Sequence, residues 1–222
     1  MKTVTPPLTL SEARQALLAG LREAWQRWRD QPEHVSIWGV RLHQVVAEVD
    51  PFHWLAAQSH EEQVLWSARD HVDEMAGIGT CHRLAGDPVE QPGPLLARGR
   101  EVLQAFGPDA PRYLGGFAFA SDAVDEEPWP RFGRSRFRIP RIELRRTADG
   151  CRLTLNLLFQ RHVHLTLPQL EAEVMGMCAE VSPPAALPPL VARQDFPDQP
   201  GWEANVLAAL DLIRSGILDK VV

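Results

Sequence analysis

The dipeptide Asp149-Gly150 limits the folding of this chain more than any other pair of residues. Asp-Gly fits the tight hairpin turn whose twist matches two paired strands. The segment after it, Cys151 to Phe159, places Leu153, Leu155, Leu157 and Phe159 at alternate positions, so an extended backbone points all four to one side. The segment before it, Phe137 to Leu144, also reads as extended. Such a hairpin needs a sheet with one buried face, and a buried face needs a cover.

Four amphipathic runs supply that cover. Thr9-Leu10-Ser11-Glu12 reads as a capping box opening a helix in which Leu17, Leu18, Leu21, Trp25 and Trp28 recur at helical spacing. Pro92-Gly93-Pro94 precedes a second helix, Leu95 to Phe106. A third is expected over Leu167 to Val181 and a fourth over Trp202 to Arg214. The expected fold class is α+β, with antiparallel sheets and outer helices.

Between the helices, Val35 to Asp50 is strand-like, Asp50-Pro51 breaks it, and Phe52 to Ala56 reads as an adjacent strand. Gln63 to Arg69, the turn Asp70-His71 and the return Asp73 to Thr80 make another hairpin. Tyr113 to Ala120 reads as a compact strand, and the acidic stretch Ser121 to Pro130 as an exposed loop. Three parts are expected: an α+β portion over 1–181, a Pro-rich connector over 182–200, and a helix plus the start of a strand over 201–222. A lysine leading two valines, Lys220-Val221-Val222, looks like a strand start, so the chain is expected to stop one step into a strand and to be part of something longer.

Composition removes several function classes. Acidic residues outnumber basic ones by 29 to 23 and arginine is scattered, which argues against nucleic acid as a partner. No apolar run approaches the roughly 20 residues that span a bilayer, and the start lacks a signal-peptide apolar region, so a cytoplasmic protein is expected. Cys81, Cys151 and Cys178 are far apart without a Cys-x-x-Cys and read as reduced buried thiols. His162 and His164 share a strand face but have no third ligand at companion spacing, so they read as an exposed strand end. Cys81-His82 would point to opposite strand faces, and Gly77-Ile78-Gly79 lacks the third glycine of a dinucleotide loop, leaving a bulge or close sheet contact. Seven tryptophans read mostly as core.

Three segments, taken in order, resemble the isochorismate synthase family of chorismate-utilising enzymes. These are Gly115-Gly116-Phe117-Ala118-Phe119, then Trp129, then Phe137-Arg138-Ile139-Pro140-Arg141. Asp50-Pro51-Phe52-His53-Trp54-Leu55 and Met75-Ala76-Gly77-Ile78-Gly79 are similar to the family's amino-terminal strands. Trp202, Val206, Ala209-Leu210, Ile213, Gly216 and Asp219-Lys220-Val221-Val222 resemble the helix and strand that carry its catalytic lysine. The resemblance covers about the first half of a family member and implies the first half of that family's two-sheet sandwich.

It further implies chorismate as substrate, Lys220 as the catalytic base, and Mg2+ held by ligands beyond Val222. In such enzymes water attacks ring carbon 2 while the carbon-4 hydroxyl leaves, and a lysine activates water only when its pKa is lowered. Without the resemblance, Lys220 reads as a solvated lysine flanking a strand. Lysine at this position favours water over the ammonia chemistry of anthranilate and aminodeoxychorismate synthases, which tend to carry glutamine there. Salicylate synthases, which share the lysine and release pyruvate, are the nearest enzymatic alternative. A non-catalytic module is the alternative of another class. Menaquinone supply is preferred to siderophore supply, a chain inactive on its own is expected, and unpaired strand edges imply self-association.

Overall fold

The computed structural model describes residues 6–86, 92–118, 133–181, 189 and 191–221. The expected loop Ser121 to Pro130, Trp129 and Val222 lie outside the described residues. The chain divides into two units, Met1–Pro184 and Ala185–Val222.

The first unit opens with α1 (Leu10–Arg29), where Thr9 and Glu12 cap one another: the Glu12 N–H donates to Thr9 Oγ1 at 3.2 Å and the Thr9 N–H to Glu12 Oε2 at 2.8 Å. Strand β1 (Ile37–Val46) follows, then α2 (Pro51–Ala56). The expected strand over Phe52 to Ala56 is therefore a short helix. Asp50 accepts from the His53 N–H at 3.0 Å, and proline's fixed φ suits the first helical position, so Asp-Pro here starts a helix instead of separating two strands.

Next come β2 (Gln63–Ser67), β3 (Glu74–Ile78), β4 (His82–Ala85), α3 (Pro92–Gln104) and a 3-10 turn at Gly107–Asp109. The unit closes with β5 (Leu114–Phe117), β6 (Ser135–Ile139), β7 (Ile142–Thr147), β8 (Gly150–Gln160) and α4 (Leu167–Met175). Gly150, at φ 115°, closes the β7–β8 hairpin as expected. His162 and His164 follow the end of β8 and are exposed, off the strand on which they were expected.

Among the described residues the named strands all pair antiparallel, in a five-stranded sheet of order β1-β8-β7-β3-β2 and a three-stranded sheet of order β4-β6-β5. The extended segment Phe137 to Leu144 is thus two strands in two sheets, because Pro140 lacks an N–H and interrupts the ladder. Gly77 makes that corner possible: a Cβ there would lie 2.6 Å from Pro140 Cγ.

The large sheet has two unlike faces. Leu155, Ile142 and Ile78 lie in line across β8, β7 and β3 and are buried on the side packed by α1 and α4. Trp28 and Trp38 stack on Phe159 at 5.7 and 5.6 Å between ring centroids, and Trp25 meets it edge-on. Each fully buried leucine, such as Leu153 or Leu157, stabilises the unit by about 2 kcal/mol. Trp54 is also buried, but Trp66 and Trp202 are exposed.

The opposite face carries His43, Thr154, Glu143 and Gly77 in the adjoining row. A second apolar cluster, with Val102, Phe106, Ile139 and Leu158, seals part of this face. Phe106 needs Gly39 beneath it, where a Cβ would meet its ring at 2.5 Å.

In the second unit, Asp198 caps α5 (Gln199–Arg214) by accepting from the Gly201 N–H. Gly216, at φ 73°, ends it: the Gly216 N–H donates to Ile213 O and the Ile217 N–H to Leu212 O, both at 3.0 Å. Residues 217–221 form no strand, contrary to the strand start expected at Lys220. A strand is defined by the neighbour it pairs with, and no described residue pairs with this segment.

Candidate functional site

A cavity of about 1010 Å3 lies between the start of β2 and the three-stranded sheet. Antiparallel register places Arg83 of β4 directly opposite Arg138 of β6, and Arg136 two residues away shares their face. Glu62, just ahead of β2, gathers the charges: Arg83 donates to its Oε1, Arg136 reaches the same oxygen at 3.4 Å, and the Thr80 hydroxyl donates to Oε2. Arg138 donates to the carbonyl of Gln63. Val64 and Leu114 add apolar wall.

The electrostatics of this cleft are mixed. Burial works to raise the Glu62 carboxyl, but the Thr80 hydroxyl and the three guanidiniums outweigh it and hold it below the usual carboxylate range. Burial, reinforced by Arg136 and Arg83 and opposed by Glu62, lowers Arg138, which still carries its charge at neutral pH.

A second polar assembly occupies the face of the large sheet turned from α1. Arg41 of β1 donates to Asn156 Oδ1 at 2.8 Å, to Glu143 Oε2 at 2.9 Å and to Asp109 Oδ1 at 3.2 Å. His43 lies 2.5 Å from Asp109 Oδ2 and 2.9 Å from the Thr154 hydroxyl. Asn156 donates to Glu143 Oε1 and to Pro140 O. Burial pushes the Glu143 carboxyl up, against the pull of Arg41 and Asn156. Every polar group here has a partner, so the assembly fixes the sheet and the turn carrying Asp109 and leaves no free base.

Cys81 is a poor nucleophile. Cys81, Cys151 and Cys178 are unpaired thiols. Burial pushes Cys81 up to about 11, leaving little thiolate at neutral pH. His82 hydrogen-bonds the Tyr113 hydroxyl at 2.7 Å and does not serve Cys81, in line with the opposite strand directions.

Lys220 belongs to the second unit, where it is exposed after the Gly216 stop. Among the described residues, no group of three or more His, Cys, Asp or Glu side chains could hold a metal ion. Glu62, Asp73, Glu74, Asp109 and Glu143 are each held by arginine, so these residues do not fit Mg2+.

A family model described as chorismate binding enzyme matches residues 24–222. The chain belongs to the chorismate-binding enzyme family. Among solved structures, this family member is similar to MenF, the menaquinone-specific isochorismate synthase from Escherichia coli, with 22% identity and a TM-score of 0.54. The match covers 91% of this chain and 42% of that one, so the chain spans less than half the length of that structure, and the likeness is one of fold. No curated protein matches the chain.

For this chorismate-binding enzyme, sequence reasoning named Lys220 and missed both arginine assemblies. Glu143 and Asn156 could have been found as polar residues inside otherwise apolar strand stretches. The Arg83–Arg138 pairing had no comparable signal, because it depends on the register between strands more than 50 residues apart in sequence.

Proposed function

We propose that the protein carrying this chain converts chorismate to isochorismate, with Lys220 as the general base. The observation that carries this reading is the span of the family match, which runs to residue 222 and so includes Lys220 with the helix before it. Lys220 takes a proton from water, the oxygen bonds to ring carbon 2, the ring double bonds shift, and the carbon-4 hydroxyl leaves with a proton as water. This role requires Lys220 to be shielded from water in the working enzyme.

Lysine in place of glutamine at position 220 favours water over ammonia as nucleophile. The fold likeness to a menaquinone-specific enzyme supports menaquinone supply as the pathway. The test is incubation of the protein with chorismate, Mg2+ and excess ammonium, with products separated by chromatography. Isochorismate is expected, and Lys220→Ala should lose turnover while its thermal unfolding is unchanged. Salicylate with pyruvate would assign the reaction to salicylate synthases, an aminated product to the ammonia-using relatives, and retained turnover in Lys220→Ala would remove the base.

A further inference from the structure

We propose that the open edge of β2 is an interface with a second copy of this chain, the two β2 strands pairing antiparallel about Leu65. The two edges of the large sheet differ. Along β1 the outer backbone is already engaged: the Gly39 N–H donates to Ala105 O and the Leu8 N–H to Val45 O, both at 3.0 Å, and just past the strand the Ala47 N–H donates to Leu8 O at 2.8 Å. Along β2 no described strand pairs on the outer side, and Gln63-Val64-Leu65-Trp66-Ser67 holds no lysine, proline or bulge to repel one. Leu65 is 44% exposed there and Trp66 37%.

Backbone parity decides which groups face outward. The Gly79 N–H donates to Glu62 O at 3.0 Å and the Ala68 N–H to Asp73 O at 2.8 Å, so the even-numbered residues of β2 bond β3, and the N–H and C=O of Gln63, Leu65 and Ser67 point away from it. A two-fold axis at Leu65 sets these groups against their own copies, Leu65 opposite Leu65 and Gln63 opposite Ser67. Gln63 O already accepts from Arg138, outside the ladder, and keeps a second lone pair for the new strand. Val64 then faces Trp66 of the second copy, a branched-to-aromatic cross-strand pair.

Charge selects this register. Glu61 and Arg69 lie just beyond the two ends of β2, both exposed, and among the described residues neither has a hydrogen-bond or ion partner. The two-fold that pairs Leu65 with itself places Glu61 opposite Arg69 of the second copy, at both ends of the contact. Sliding the strands by two residues keeps the backbone parity but parts these charges. So short a contact belongs with weak specific interfaces, and a micromolar dissociation constant fits it. The inference does not rest on the chorismate reading.

The experiment is sedimentation velocity of the whole protein over a range of concentrations. Wild type should pass from monomer to dimer below about 0.1 mM. Leu65→Pro removes an N–H that β3 does not use, so it should remain folded by thermal unfolding and be monomeric. Glu61→Lys and Arg69→Glu each set like charges opposite one another and should weaken association about tenfold, whereas an equal mixture of the two should regain wild-type association, because a mixed pair has opposite charges at both ends. A wild type that stays monomeric at that concentration, a dimer that persists in folded Leu65→Pro, or a mixture that associates no better than its components would each overturn the proposal. Should Leu65→Pro not fold, the mixture decides.

Discussion

Asn156 donates a 2.6 Å hydrogen bond to the buried carboxylate of Glu143 while its own carbonyl accepts from Arg41. Asn156 is fully buried and Glu143 is 3% exposed, so neither has water to fall back on. Leucine at 156 would match the branched shape but leave one donor, Arg41 Nε, and two acceptors, Glu143 Oε1 and Pro140 O, without their partner, at a cost of about 3 kcal/mol or more. Urea unfolding of Asn156→Leu should show that loss. A change below about 0.5 kcal/mol, the range of ordinary surface substitutions, would mean the network does not hold the sheet.

Gly115 offers a test of the small sheet. An alanine Cβ would stand 1.9 Å from Arg136 O and 2.8 Å from Phe137 Cα, both backbone atoms of the paired strand, which cannot step aside without breaking the β5–β6 ladder. Gly115→Ala should destabilise the protein by at least about 2 kcal/mol, whereas Gly93→Ala, which meets nothing within 4 Å, should change it by well under 1 kcal/mol. Paired thermal melts of the two variants make the comparison. Equal melting temperatures would contradict the tight pairing.

Both sites sit where local sequence said least. The β7–β8 hairpin was legible because Asp149-Gly150 and the leucine alternation act over neighbouring residues, and α1 was legible through the reciprocal Thr9–Glu12 cap. Phe52 to Ala56 was not, since five residues cannot distinguish a short buried helix from a short buried strand by periodicity, and only the Asp50 cap decides. Lys220 was found through a resemblance that follows the order of segments along the chain. The guanidiniums of Arg83 and Arg138 meet only through tertiary register, which no local pattern encodes.

Acid should weaken the first unit through its depressed carboxylates. Asp73 accepts two hydrogen bonds from Arg145, at 2.7 and 2.6 Å, and these outweigh burial to hold its carboxyl below the usual range. A depressed folded-state pKa stabilises fully above the unfolded value of about 4 and is lost as pH falls through the lower folded value. Glu143 has the opposite sign, since its raised carboxyl favours the folded state at low pH and loses that contribution as pH rises. Urea midpoints from pH 7 to pH 3 should show Asp73→Asn less stable than wild type at neutral pH, with the gap closing below about pH 4. A gap that stays constant to pH 3 would show that the Arg145 pair does not depend on the Asp73 charge.

The helix carrying the chain toward Lys220 should be the least protected regular element. No residue of α5 is buried, and Trp202, Leu207, Leu210 and Leu212 are all exposed. A helix of 16 residues with no fully buried side chain is marginal in water, because propagation barely repays the cost of its first turn, so the Asp198 cap and the Gly216 stop define its ends without locking it. Strand β8 lies between two neighbours in the large sheet, and its amides open only when the unit unfolds. Hydrogen exchange followed by mass spectrometry should therefore find amides of residues 202–214 exchanging at least about a hundredfold faster than those of residues 153–159. Comparable protection in the two segments would show that α5 packs against a surface in solution, and the exchange-protected side of the helix would then locate it.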